Sequence, residues 1–210
     1  MMRILIADDH AVVRRGVKQI VSEESDMTLV GEARNAQELL KLTREQDCDV
    51  VVLDINMPGK SGLDALKELK SERPKLPVLI LSIHPEDQYA VRALKAGAAG
   101  YMTKESAPEQ LVEAIRKVYK GGKYISPSLA EKLAVSLISG AEGPIQEVLS
   151  DREYWVMRRI ASGKTVSEIA QELSLSVKTI STYRARILEK MGMKTNAELT
   201  RYAIQNRLVD

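Results

Sequence analysis

Asp8 and Asp9 follow the short apolar run RILIA at 3–7, and Asp54 ends VVVLD at 50–54. Ser82 ends PVLILS at 77–82, and Lys104 follows GYMT at 100–103. If these runs are parallel strands, each delivers its carboxyl end to one edge of a sheet, and the five side chains converge there. Three carboxylates within a few ångströms repel one another and need a neutralising partner. A hard divalent cation with oxygen ligands suits them, Mg²⁺ above all. A hydroxyl and an ammonium beside it supply a donor and a second positive charge, an arrangement fitted to a transferring phosphoryl group. A carboxylate next to such a cation can itself be the nucleophile and form an acyl phosphate. Singly, each residue has a plainer reading. Asp8 and Asp9 can cap the next helix, Asp54 can open a turn, and Lys104 can be a surface cation. Five fitting residues on four strand ends make the joint reading the stronger one.

The elements that must position them are legible as alternation. Apolar runs at 3–7, 28–33, 50–54, 77–82 and 100–103 read as strands. Between them, periodic segments at 11–22, 36–45, 63–72, 86–96 and 108–120 read as helices. Val12, Val13, Val17, Ile20 and Val21 are assigned to one face of the first helix. Nearly continuous apolar strands are buried on both faces, which implies a parallel sheet covered by helices. Five β-then-α units give an α/β fold, a doubly wound five-stranded parallel sheet.

Composition narrows the classes. The 210 residues suffice for one large or two small domains. Hydrophobic residues make up 44% and charged residues 29%, enough to bury a core. Aromatics are only 4%, with no Phe, which disfavours an aromatic-rich β sandwich. The single cysteine, Cys48, excludes an intrachain disulfide and a multi-cysteine zinc site, and it reads as a small buried hydrophobe. No apolar run reaches the ~18–20 residues of a membrane span, and acids arrive too early for a signal peptide. A cytoplasmic protein without membrane association is expected. Residues 1–145 carry a net charge of −1 and the remainder +3, a weak hint of nucleic acid.

Domains are expected at 1–122 and 148–210, joined by a linker at 123–147 with an embedded helix over 129–138. From Asp151 onward the pattern is helical throughout: 151–161, 166–173, 177–191 and 196–206. The second and third of these, joined at Ser174-Leu175-Ser176, form a helix-turn-helix in a smaller all-α four-helix domain. Ile169, Ala170, Leu173, Ile180, Ile187, Leu188 and Met191 are assigned inward. Lys178, Ser181, Thr182, Ala185, Arg186 and Glu189 are left outward. Short side chains at 181 and 182, flanked by Lys178, Arg184, Arg186 and Lys190, suit a helix in the major groove. Thr179 and Tyr183 can add hydroxyl contacts to the backbone of a duplex. A plain helical hairpin with solvated charges is the alternative. Trp155 is expected in the core, and Met102, Met157, Met191 and Met193 as core fillers.

Two resemblances add to this reading. LIADDH (5–10), VVLDINMPGKSG (51–62), LILSIH (79–84) and GYMTKE (100–105) resemble the flavodoxin-like receiver domain of bacterial two-component response regulators. Residues 149–199 resemble the LuxR-type DNA-binding domain, and the pair is the NarL/FixJ arrangement. The resemblance implies Asp54 as acceptor of a phosphoryl group from a sensor histidine kinase. It implies Asp8, Asp9 and Asp54, with the main-chain carbonyl of Asn56, as Mg²⁺ ligands. Ser82 and Lys104 would contact the phosphoryl group, and Tyr101 would change rotamer with the switch. Pro58 and Gly59 would shape the loop after Asp54. Glu105 departs from the proline usual after the lysine, which leaves the geometry of that peptide bond open. Asn56 and His84 would overlook the acyl phosphate, with His84 either a general base or an exposed helix-start residue. In the tail, Ser181, Thr182 and Ala185 would face bases, and Lys178, Thr179, Tyr183, Arg184 and Arg186 phosphates. The implied function is a phosphorylation-controlled transcription regulator that binds double-stranded DNA as a homodimer. Rival readings are a phosphohydrolase with an aspartyl nucleophile, a receiver-like module working without phosphate, and a tail that binds protein.

Overall fold

The computed structural model describes residues 1–127, 129–131, 134, 145–173 and 175–209. The chain divides into two compact units, Met1–Ile138 and Ser139–Asp210.

The first unit is a five-stranded sheet in the order β2-β1-β3-β4-β5, all parallel. The strands are β1 (Met2–Ala7), β2 (Met27–Ala33), β3 (Val50–Leu53), β4 (Val78–Ser82) and β5 (Gly100–Thr103). The helices are α1 (Ala11–Ser22), α2 (Ala36–Glu45), α3 (Gly62–Glu72), α4 (Glu86–Lys95) and α5 (Ala107–Tyr119). The order reverses between β1 and β3, the switch point where open α/β sheets bind ligands. Every residue of β3 and β4 is buried, as strands covered on both faces require. On one face Ile4, Ile6, Val52, Leu79 and Leu81 meet Val17 and Val21 of α1 and Leu111, Ile115 and Val118 of α5.

Val12 is 80% exposed, contrary to its assignment to the inward face of α1. At 100° per residue it points about 140° away from buried Val17, so only the four other apolar residues share a face. Cys48 is buried as expected, and burial pushes its thiol pKa up. Beyond Gly122 the chain continues along the β5 edge, where Tyr124 bridges Gly100 and exchanges backbone bonds with Ala99 and Tyr101. That pairing covers part of an otherwise open strand edge. The helix expected over 129–138 falls largely outside the described residues; positions 129–131 and 134 are helical.

The second unit contains α6 (Asp151–Ala161), α7 (Val166–Leu173), α8 (Val177–Lys190) and α9 (Asn196–Gln205), preceded by a 3₁₀ turn at Ile145–Val148. Ser150 and Glu153 form a reciprocal capping box that starts α6. Ile169, Ile180, Ile187, Leu199, Met157 and Val156 are fully buried and make the core. Tyr154 takes the core position in its pair, at 2% exposure. Trp155 does not: it is half-buried, with the Arg159 guanidinium 4.7 Å from its ring. One residue of rotation turns it out of the core, and stacking a cation there covers the indole.

Candidate functional sites: an acidic pocket and a helix-turn-helix

The strands deliver the expected side chains to one place. Asp54 N–H donates to the Ala7 carbonyl at 2.8 Å, which extends the β1–β3 ladder and sets Asp54 beside Asp8. Lys104 N–H donates to the Ser82 carbonyl at 2.8 Å, which does the same for β4 and β5. The Lys104 Nζ then lies 2.7 Å from Asp54 Oδ2 and 2.7 Å from Asp8 Oδ2. Asp8 is 1% exposed, Asp54 2% and Ser82 0%. Asp9 is exposed at the rim, and its carboxylate belongs to the same cluster as those of Asp8 and Asp54.

Burial of the Asp54 carboxylate dominates its electrostatics and, with the nearby Asp8 charge, outweighs the Lys104 ammonium and the Asn56 N–H. The result is a pKa pushed up to about 6. For Lys104, burial works against the charge, but the two carboxylates win and raise its pKa. Asp54 is therefore ionised at neutral pH, at a cost that more positive charge would relieve.

The loop after Asp54 is closed tightly. Gly59 has a positive φ of 74°, the left-handed conformation that glycine adopts without penalty. Gly62 N–H donates to the Ile55 carbonyl at 2.9 Å, and a Cβ at Gly62 would lie 1.9 Å from the Asp54 carbonyl oxygen. Ser61 caps α3 by accepting from Asp64 N–H.

Above the acids, Ser82 Oγ accepts from His84 N–H at 3.2 Å. The Tyr101 ring is fully buried, with its hydroxyl donating to the His84 carbonyl at 2.9 Å. Asn56 Nδ2 and His84 Nε2 are 2.8 Å apart, so the two residues pair across the mouth of the pocket. His84 is half-buried and lies 4.7 Å from the Tyr89 ring, which makes it more enclosed than an exposed helix-start residue. The Lys104–Glu105 peptide is trans, like every other among the described residues.

Two pocket residues were not apparent from strand ends. Arg14 is only 9% exposed, and its Nη1 donates to the Asp8 carbonyl at 2.8 Å. His10 Nδ1 lies 2.7 Å from Asp9 Oδ1 and 3.2 Å from Asp8 Oδ1. His10 stands directly after the two acids, a signal that was available. Arg14 reaches back from α1, which no strand pattern encodes.

In the second unit, residues 174–176 join α7 to α8; Ser174 lies outside the described residues. Ser176 caps α8 by accepting from Thr179 N–H at 3.1 Å. Lys178, Ser181, Thr182, Ala185, Arg186 and Glu189 are all exposed, and Thr179, Tyr183 and Arg184 are half-buried. Thr182 Oγ1 donates to the Lys178 carbonyl at 3.0 Å, leaving its lone pairs and methyl outward. Arg184 Nε donates to Asn196 Oδ1 at 2.6 Å, a partner contributed by α9. Lys190 has a second role. Counted among the flanking cations, it stays exposed and also pairs with the buried Glu153 at 2.7 Å, supplying that carboxylate with a counter-charge. Among the described residues no helix is long and apolar enough to cross a membrane.

Comparison with known proteins finds a family match for each unit. Residues 4–116 match the family described as response regulator receiver domain, and residues 147–203 the bacterial regulatory proteins of the luxR family. The response regulator GacA of Pseudomonas aeruginosa is 38% identical over 212 residues, spanning 100% of this chain and 99% of GacA. The response regulator UvrY of Escherichia coli is 37% identical over 210 residues, spanning 99% and 96%. RcsB of Salmonella enterica serovar Typhimurium, solved on the rprA promoter with the phosphomimetic BeF₃⁻, superposes with a TM-score of 0.64. Its identity is 27%, over 96% of this chain and 97% of that one. A second RcsB structure, two dimers bound to two parallel DNAs, gives a TM-score of 0.60 at 28% identity, over 100% and 99% of the two chains. With an acidic pocket in one unit, a helix-turn-helix in the other and relatives matched end to end, this chain belongs to the two-component response regulators of the NarL/FixJ type, with a receiver and a LuxR-type DNA-binding domain.

Proposed function

We propose that Asp54 is the phosphoacceptor of this regulator and that its phosphorylation controls homodimerisation on double-stranded DNA. The observation that carries this is the Lys104 ammonium bridging Asp8 and Asp54, both buried. A carboxylate oxygen of Asp54 bonds to phosphorus as the P–N bond of a sensor kinase's phosphohistidine breaks, and the departing imidazole takes up a proton. Lys104 and the Ser82 hydroxyl then face the added oxygens. Tyr101, now inward, follows Ser82 as the switch element. The receiver spans 1–122, the linker 123–147 and the DNA-binding domain 148–210. The protein acts in the cytoplasm.

Mg²⁺ fits the residues present. The Asp8, Asp9 and Asp54 carboxylates lie within 4.8 Å of one another, and Asp8 Oδ2, close to Lys104, receives no aligned hydrogen bond. Those three carboxylates and the Asn56 carbonyl would hold the ion. Bound there, it would offset the charge of the acids and of the transferring group.

In the second domain α8 enters the major groove. Ser181, Thr182 and Ala185 face base edges, where their small side chains allow close approach. Lys178, Thr179, Tyr183, Arg184 and Arg186 meet phosphates. The exposure of the small residues and the fixed Arg184 guanidinium support this reading. The RcsB complexes lend it analogy.

The test is to treat the protein with acetyl phosphate and Mg²⁺, then measure molecular mass and affinity for a promoter fragment. Phosphorylated protein is expected to dimerise and bind more tightly. Equal mass and equal affinity in the two states would overturn the control step.

A further inference from the structure

We infer that Ser126 and Glu86 form a latch that holds the start of the linker on α4, and that phosphorylation of Asp54 opens it. The inference rests on the switch reading of Ser82 and Tyr101 above and gives that switch an outlet.

The first observation is how the chain past Gly122 is seated. Tyr124 N–H donates to the Ala99 carbonyl and Tyr101 N–H to the Tyr124 carbonyl, each at 3.0 Å. The approach is close: a Cβ at Gly100 would lie 2.6 Å from the Tyr124 carbonyl oxygen. The Tyr124 hydroxyl donates to Gln110 Oε1 of α5 at 2.8 Å. Ser126 Oγ donates to the Glu86 carboxylate at the start of α4 and accepts from Leu129 N–H at 3.2 Å. Ala130 N–H donates to the Ser126 carbonyl at 3.0 Å. One hydroxyl thus caps the turn that follows and ties it to α4. Leu129, in that turn, is 1% exposed.

The second observation is where these ties end. Those of Tyr124 end on β5 and α5, whereas that of Ser126 ends on the chain that leaves Ser82. The loop 83–85 connects Ser82 to Glu86, and in it Ile83 and Pro85 are exposed. His84 is tied to both switch residues. Its N–H donates to Ser82 Oγ at 3.2 Å, and its carbonyl accepts from the Tyr101 hydroxyl at 2.9 Å. When Ser82 Oγ turns to the phosphoryl oxygens and the Tyr101 ring follows, those two ties break and the start of α4 shifts. Hydrogen bonds fade beyond ~3.5 Å, so a displacement of about 1 Å at Glu86 parts it from Ser126. Opening frees the backbone from Ser126 onward and lengthens the tether to the DNA-binding domain.

Amide hydrogen exchange of the full-length protein reads the latch at Leu129 and Ala130, with and without Mg²⁺ and BeF₃⁻ as the phosphoryl mimic. Exchange there is expected at least tenfold faster with the mimic. Glu86→Ala should exchange that fast without it and respond less than twofold to its addition. Glu86→Gln keeps an acceptor and should behave as the wild type. Gln110→Ala cuts the tie to α5 and should keep the tenfold response, which separates a switched bond from local loosening. Bound BeF₃⁻ seen by ¹⁹F NMR, with exchange at both amides unchanged, would overturn the latch and leave Asp54 as acceptor. A full response in Glu86→Ala would do the same. Wild-type protein that binds no BeF₃⁻ would instead overturn the acceptor reading, and the latch with it.

Discussion

The pocket and α8 solve opposite problems. The pocket gathers Asp8, Asp54 and Lys104 out of water, so its chemistry comes from charges that the fold makes uncomfortable. The helix keeps Ser181, Thr182, Ala185 and Arg186 in water and buries only the apolar residues behind them. One site stores unfavourable electrostatics; the other stores almost none. Substitutions should therefore alter stability in the first and, at these four exposed positions, leave it untouched in the second.

The sharpest break is Asp54→Ala, which should reduce phosphoryl incorporation from acetyl phosphate more than a thousandfold, on the order expected when a nucleophile is removed. Mass spectrometry of the treated protein reads this directly, and an undiminished aspartyl phosphate would reassign the acceptor.

A second test measures the stored cost. An unfolded aspartate ionises near pH ~3.9, whereas Asp54 in the fold does so at about 6. Between these values the folded chain binds more protons, so stability falls as pH rises through that window and stays lower above it. Asp54→Asn should stabilise the receiver at pH ~7.5 by on the order of 1–3 kcal/mol, with the gain vanishing near pH ~4. Thermal denaturation in chelator at both pH values checks the sign.

Lys190 and Arg184, both cations of α8, separate structure from recognition within one helix. Lys190→Met takes the ammonium away from the carboxylate of Glu153, which is 3% exposed and also accepts from the Ser150 N–H. It should destabilise the helical domain by about 1–2 kcal/mol and leave the salt slope of DNA binding unchanged. Arg184→Ala should do the reverse. It flattens the salt slope by about one unit across unrelated sequences, with unfolding unchanged within ~0.5 kcal/mol. Asn196→Ala should produce a weaker version of that phenotype, since it frees the guanidinium without removing it.

What could be read from the chain alone followed its periodicities. Strand ends located Asp8, Asp9, Asp54, Ser82 and Lys104, because a parallel sheet has one carboxyl edge whatever its details. The inward residues of α7 and α8 followed from the 3.6-residue repeat. The failures share a cause. Val12 and Trp155 were placed by hydrophobicity although each lies a residue off the buried stripe. Arg14 and Lys190 act through long side chains whose partners are set by tertiary placement. Lys190 and Glu153 are 37 residues apart, and no local pattern announces such a pair.

Gly62 carries a consequence for how the receiver can respond. Its α-carbon is pressed so close to the peptide of residue 54 that no methyl fits between them. The main chain of residue 54 and the first turn of α3 are thus one mechanical piece. A displacement of either drags the other, a coupling that depends on neither hydroxyl nor aromatic ring.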